Sequence, residues 1–208
     1  MTERDGKAHW DKVYGRKGAE DVSWFQPSLA LSLKMIDDIE LPASASIIDV
    51  GGGASSLVDD LLTRGFSDLT VLDLSKVALD IARRRLGDQA DSVQWLHGDA
   101  TELDLATARY DLWHDRAVFH FLTDPQARRR YIDQAYRALK PGGHIIVATF
   151  GLHGPERCSG LEVARYDADG LHAEFGAPFH KIRHAEEAHR TPWGTEQEFL
   201  YCYCRRSR

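Results

Sequence analysis

The stretch Ser46-Ile47-Ile48-Asp49-Val50-Gly51-Gly52-Gly53-Ala54-Ser55-Ser56 runs from apolar residues into three glycines and then into a polar helix start. A short apolar run without polar alternation suits a strand buried on both faces of a parallel sheet. Glycines at its end let the chain turn sharply and approach a ligand with no side chain in the way. Helix should resume near Ser55 or Ser56, carry Leu57, Val58, Leu61 and Leu62, and end at Gly65.

Working outward, the same unit recurs. Leu69 to Leu74 reads as strand, Lys76 to Leu86 as helix with Gly87 as its stop, and Val93 to His97 as strand. A fourth strand at about Tyr110 to Asp115 follows. A helix from about Pro125 to Leu139, stopped by Pro141-Gly142-Gly143, leads to a fifth strand at His144 to Phe150. Strands that alternate with helices imply a mostly parallel sheet with right-handed crossovers. Phe179 to Ala188 and Glu198 to Arg205 flank Thr191-Pro192-Trp193-Gly194 and read as an antiparallel hairpin. Upstream, Leu29, Leu33, Ile36 and Ile39 give residues 27–40 a helical spacing that stops before Pro42. The expectation is one α/β domain over residues 1–208, built on a doubly wound, mostly parallel seven-stranded sheet with a C-terminal antiparallel hairpin. Its parts are an N-terminal lid and leading helix (1–42), a cofactor-binding core (43–150) and an acceptor-side loop with the hairpin (151–208).

In open α/β sheets the ligand lies beyond the carboxyl ends of the strands, where strand order reverses. That places the loop from Asp49 through Gly51, Gly52 and Gly53 at the site. Asp73 ends the second strand about 20 residues further on, where a carboxylate can accept hydrogen bonds from both ribose hydroxyls. Gly98-Asp99-Ala100 ends the third strand, with Asp99 placed to receive the adenine amine. Three such features at successive strand ends indicate an adenosine ligand. A dinucleotide loop G-x-G-x-x-G counted from Gly51 needs glycine where Ser56 stands, and the phosphate-loop pattern G-x-x-x-x-G-K-[S/T] is absent.

With these residues the sequence resembles the class I S-adenosylmethionine-dependent methyltransferases, whose first motif is an acidic residue followed by G-x-G-x-G. Asp49, Gly51 and Gly53 match it, and Ser55 replaces the last glycine. Asp73 looks like the family's ribose-binding acid, Gly98-Asp99-Ala100 like its adenine motif, and Leu139-Lys140-Pro141-Gly142-Gly143 like the turn before its fifth strand. More narrowly, His9-Trp10-Asp11-Lys12-Val13-Tyr14 with Val22-Ser23-Trp24-Phe25 resembles a subgroup that includes lysine methyltransferases of citrate synthase and elongation factor 1A. The resemblance implies S-adenosylmethionine as cofactor and S-adenosylhomocysteine as product. It also implies an N-terminal segment folded over the cofactor, with Tyr14 and Trp24 at the sulfonium end. The implied cofactor-binding set is Tyr14, Trp24, Asp49, Gly51, Gly52, Gly53, Asp73, Leu74, Asp99, Ala100, Asp115 and Arg116.

Methyl transfer from a sulfonium is an in-line displacement in which positive charge disperses, so alignment and water exclusion dominate. Trp24, Phe25, Phe119 and Phe121 can exclude water and face a cation. Beyond the fourth strand lies Trp113-His114-Asp115-Arg116-Ala117-Val118-Phe119-His120, where the methyl group should point. Asp115 can receive the methionine ammonium or orient the acceptor. Arg116 can bind an anionic acceptor or pair with a carboxylate. His120 is the candidate base, since imidazole titrates near neutrality. Asp115 and His120 are therefore the expected catalytic pair. Phe119, His120, Arg157 and Arg165 are the expected acceptor contacts, the arginines from the loop after the fifth strand.

Bulk properties bound the reading. At 43% hydrophobic and 28% charged, the chain has the composition of a packed globular domain rather than a disordered one. A net charge of -6 works against a general nucleic-acid surface. No apolar run approaches the roughly 20 residues that cross a bilayer, and the N-terminus lacks an apolar secretory core, so a cytoplasmic location is expected. Cys158, Cys202 and Cys204 are too few and odd in number for a disulfide framework. Cys202 and Cys204 alternate with Tyr201 and Tyr203 as in a strand, and no metal site is expected. The acceptor is open between a small molecule and a protein lysine, and the oligomeric state is open too. The competing readings are a non-catalytic S-adenosylmethionine-binding module and a nucleotide-linked oxidoreductase.

Overall fold

The structure, a computed structural model, describes residues 3–16 and 19–208. Its helices are α1 (Glu3–Arg16), α2 (Ala30–Asp37), α3 (Leu57–Thr63), α4 (Lys76–Leu86), α5 (Pro125–Ala138) and α6 (Ala168–Phe175). Its strands are β1 (Ser46–Val50), β2 (Asp68–Asp73), β3 (Val93–His97), β4 (Tyr110–Arg116) and β5 (Leu139–Gly151), then the short β6 (Arg157–Cys158), β7 (Leu161–Glu162) and β8 (Arg165–Tyr166), and finally β9 (Phe179–Arg190) and β10 (Glu196–Arg206).

The main sheet has the order β3-β2-β1-β4-β5-β10-β9. The strands from β3 through β5 are parallel, and β10 and β9 close the far edge antiparallel. Strand order reverses between β1 and β4, so their carboxyl ends open the crevice where α/β sheets hold ligands. Ile47 and Ile48 show why β1 carries no polar alternation. Ile47 packs with α2 and α3 residues such as Leu33 and Leu57, whereas Ile48 packs with Tyr131 and Ala135 of α5 on the opposite face.

Side-chain caps and a glycine stop set the ends of α4 and α5. Ser75 accepts from the Ala78 N–H at the start of α4, and Gly87 at φ 56° ends that helix. Asp124 accepts from Gln126 and Ala127 at the start of α5, with Pro125 in the first turn. The sheet holds one strand more than seven, because β8 adds a two-residue ladder beside Phe150 and Gly151. The Pro141-Gly142-Gly143 segment lies within β5 as an irregularity between two paired stretches, Tyr110 with Leu139 and Leu112 with His144. No helix among the described residues is long and apolar enough to cross a membrane.

Candidate active site

A cavity of about 850 Å³ opens over the carboxyl ends of β1, β2, β3 and β4. Its floor includes Gly51, Asp73, Leu74, Asp99 and Ala100, and Arg116 lines it beyond β4. Gly51 takes φ 72°, and a Cβ there would lie 2.0 Å from Val118, so the turn admits no larger residue without displacing the β4 loop. A Cβ on Gly53 would meet the Asp73 carboxylate at 2.4 Å. Glycine is thus what lets the loop close on that acid.

Asp73 is buried, and its neighbours among the described residues include the carboxylates of Asp49 and Asp11. The Ser75 N–H donates to Oδ1 at 2.7 Å, and the Gly53 N–H also donates to the carboxylate. Burial nevertheless pushes the Asp73 pKa up to about 7, with Asp49 and Asp11 adding repulsion. Asp99 accepts from the Thr101 N–H at 2.7 Å and stands on the cavity wall.

Helix α1 covers this end of the crevice. Asp11 accepts from the Ser75 hydroxyl at 2.7 Å and from the Val77 N–H at 3.3 Å, which pins α1 to the first turn of α4. Trp10, Tyr14 and Trp24 line the cavity with Phe121. The rings form a connected group, with Trp10 centred 5.1 Å from Phe121 and 5.7 Å from Trp24, and Tyr14 6.2 Å from Trp24. Burial, with Asp73 nearby, holds the Tyr14 phenol above its usual range and therefore neutral. An apolar, electron-rich wall of this kind favours a cationic ligand.

Several expected residues lie off the cavity wall. His120 does not line the cavity: it is fully buried, its Nδ1 accepts from the Phe150 N–H at 3.3 Å, and its ring meets Phe121 edge-on and Phe150 at a tilt. Burial lowers its pKa to about 3, leaving it neutral and out of reach of solvent. Asp115 is likewise enclosed. It accepts from the Val118 N–H at 2.8 Å, the Phe119 N–H at 3.1 Å and the Tyr131 hydroxyl, and burial raises its pKa to about 6. It therefore shapes the turn after β4. Phe119 is buried in the core beneath α5. Arg165 is engaged by the Leu152 and Gly154 carbonyls and by Glu156. Asp49, behind Gly52, accepts from His114 at 2.7 Å, and the other ring nitrogen of His114 meets Ser32 at 2.9 Å.

Arg116 reaches the cavity but its charge is paired, with Glu187 at 3.2 Å and the Trp24 carbonyl at 2.9 Å. Of the loop after β5, Arg157 and Cys158 (β6) and Leu161 and Glu162 (β7) line the cavity as a small hairpin, with Arg157 bonded to Glu162 at 3.1 Å. The sequence reading missed Thr101, Glu102, Asp124, Ala127 and Arg130, which also line it. The acid-and-cap pattern Thr123-Asp124-Pro125 was the available signal, since a helix start after a strand end faces the crevice.

Residues 47–143 match the family described as "Methyltransferase domain". The chain is 32% identical over 119 residues to the ubiquinone/menaquinone biosynthesis C-methyltransferase UbiE of Roseobacter denitrificans, an alignment that covers 56% of this chain and 46% of the relative. It is 26% identical over 161 residues to EEF1A lysine methyltransferase 2 of Danio rerio, covering 69% of this chain and 67% of that protein. The chain thus spans about half the length of the first of these relatives. Among solved structures, the Burkholderia thailandensis 1,6-didemethyltoxoflavin-N1-methyltransferase with bound S-adenosylhomocysteine shares the fold at a TM-score of 0.69 and 18% identity, covering 100% of this chain and 92% of that one.

Proposed function

We propose that this chain is a class I S-adenosylmethionine-dependent methyltransferase, a reading supported by its fold and by the family match over residues 47–143, and that it moves a methyl group to an N, S or O nucleophile of a small molecule or of a protein lysine. The observation that carries the reading is Asp73: a buried carboxylate at the end of β2 that accepts from the Gly53 N–H of the glycine turn and lines the cavity beside Gly51. Bound S-adenosylmethionine supplies a methyl group activated on a sulfonium. The residues fit such a ligand. Asp73 and Asp99 bring carboxylate acceptors to the cavity, Ala100 lines it beside Asp99, and Trp10, Tyr14, Trp24 and Phe121 give it an aromatic side suited to a sulfonium.

The chain's own work is then to bind, align and exclude water. Trp10, Tyr14, Trp24 and Phe121 close the apolar side, which strengthens electrostatic contacts inside. Arg116, tied to the Trp24 carbonyl and to Glu187, holds the segment after α1 against the sheet edge. The β6–β7 hairpin borders the acceptor half, where the Arg157–Glu162 pair offers one exposed charge of each sign. Since His120 and Asp115 lie behind the wall, an acceptor reaches the methyl group without either as a direct base. An aligned nucleophile that loses its proton to solvent suffices.

The cavity volume, about 850 Å³, lies high in the roughly 300–1,000 Å³ range of ligand sites, which supports room for both cofactor and acceptor group. Relatives named for quinone biosynthesis and for protein lysine methylation support both acceptor classes. The net charge of -6 supports an acceptor other than nucleic acid, and three buried free thiols support a cytoplasmic setting. The test is incubation of the chain with methyl-labelled S-adenosylmethionine and a lysate fractionated by size. Label is expected in one class, small molecules or protein. Tight cofactor binding without label in any fraction would replace catalysis with a binding role.

A further inference from the structure

Away from the cavity, the end of the chain brings two thiols and an imidazole together. Cys202 and Cys204 stand two residues apart on β10, so both side chains leave the same face of the sheet. Helix α6 covers that face and supplies His172, 30 residues from the nearer cysteine in sequence. Cys202 Sγ lies 3.4 Å from Cys204 Sγ, and Cys204 Sγ lies 3.6 Å from His172 Nδ1. All three ligand atoms fall within 4.8 Å of one another. Both cysteines are free and buried, and His172 is half-buried.

Zinc sits about 2.3 Å from thiolate sulfur and about 2.0–2.1 Å from imidazole nitrogen in tetrahedral sites. Tetrahedral angles at those lengths place two sulfurs roughly 3.8 Å apart, and sulfur and nitrogen roughly 3.5–3.6 Å apart. Cys204 and His172 at 3.6 Å meet this, and Cys202 and Cys204 at 3.4 Å come within about 0.4 Å of it, so the three atoms already gather at the scale of one tetrahedral site. Two thiolates and an imidazole also favour zinc over hard cations, which take oxygen ligands.

We propose that Cys202, Cys204 and His172 form a zinc site that fastens α6 to the C-terminal hairpin. The fourth position goes to solvent or to β9, where His184 stands opposite Cys202 in the ladder. On binding, each thiol releases its proton to solvent and the two thiolates neutralise the dication, so two protons leave per ion. Lys181 stands opposite Cys204 in the ladder, and its ammonium is held by Asp169 at 2.6 Å. None of the three ligands lines the large cavity, so the site is structural and independent of cofactor binding.

The test uses the full reduced chain, stripped with a chelator and titrated with zinc chloride in a calorimeter. The expected result is one zinc per chain, release of two protons read from buffers of different ionisation enthalpy, and a rise in Tm that the chelator reverses. His172→Gln should weaken zinc by at least about 100-fold, beyond the usual cost of losing an outer-shell partner, while S-adenosylhomocysteine affinity stays unchanged. Cys204→Ser should abolish binding. Because Cys204 is buried, the His172→Gln variant and a cobalt(II) spectrum of the unmutated protein give readouts that do not depend on a thiol being replaced. Absence of stoichiometric zinc, absence of thiolate-to-cobalt absorption, or equal zinc affinity in His172→Gln would each overturn the proposal.

Discussion

Asp73 is the residue whose environment and proposed task agree most closely. A carboxyl raised to about 7 by burial is half protonated near neutrality, yet ribose hydroxyls need it as an acceptor. Adenosyl ligands should therefore bind the ionised form, and affinity should fall about tenfold per pH unit below 7. Asp73→Ala should weaken S-adenosylmethionine and S-adenosylhomocysteine by roughly 1.5–3 kcal/mol, or about 10- to 150-fold. Asp73→Asn should remove the pH dependence. Calorimetry that finds unchanged affinity in the folded Asp73→Ala variant would withdraw the ribose role. Asp73 was legible because a strand end fixes where a side chain points. His120 was not, because Phe119–Phe121 forms a 3-10 turn in which successive side chains diverge by about 120°. One step along the chain separates Phe121 on the cavity from His120 in the core.

Elements with a clear period were read from sequence almost to the residue: β1, β3 and α4 run over the expected spans. The short strands β6, β7 and β8 were not, since two residues carry no period and their pairing depends on neighbours brought in by the fold. Helix α1 falls between these cases. Its aromatic residues marked a covering segment, but its anchor is tertiary, through Asp11 on the first turn of α4. A charged acceptor on two donors contributes roughly 1.5–3 kcal/mol each at most, so Asp11→Ala should loosen α1 while leaving the sheet intact. Hydrogen exchange should quicken over residues 6–16 and stay unchanged in β1 and β4. S-adenosylhomocysteine affinity should drop with it, because Trp10 and Tyr14 leave the wall. If exchange in α1 rises with no loss of affinity or turnover, the helix is not a lid.

For the molecule as a whole, buried ionisable groups pull the pH dependence of stability in opposite directions. Asp73 and Asp115 have folded pKa values of about 7 and about 6, above the carboxyl range of the unfolded chain. As pH falls from 7 towards 4, the folded state takes up these protons before the unfolded state does, and stability rises. His120 acts the other way. Its folded pKa is about 3, so below about 6.5 the unfolded chain binds a proton that the folded chain refuses, and stability falls. The lowered pKa values of His144 and His189 add to that loss. His120→Asn removes one such proton while leaving an oxygen that can accept from the Phe150 N–H. Relative to the unmutated protein, the variant should gain about 1.4 kcal/mol per pH unit once pH is well below 6.5. Denaturant unfolding at pH 7, 6 and 5 measures this directly. Any deficit of the variant at pH 7 should shrink or reverse by pH 5, and parallel stability curves would show that the imidazole is not held neutral. The same variant separates structure from catalysis. An imidazole neutral at every pH above about 3 supplies no titration near neutrality, so the pH–rate profiles of variant and unmutated protein should superimpose. Loss of an acid limb in the variant would return His120 to the role of base.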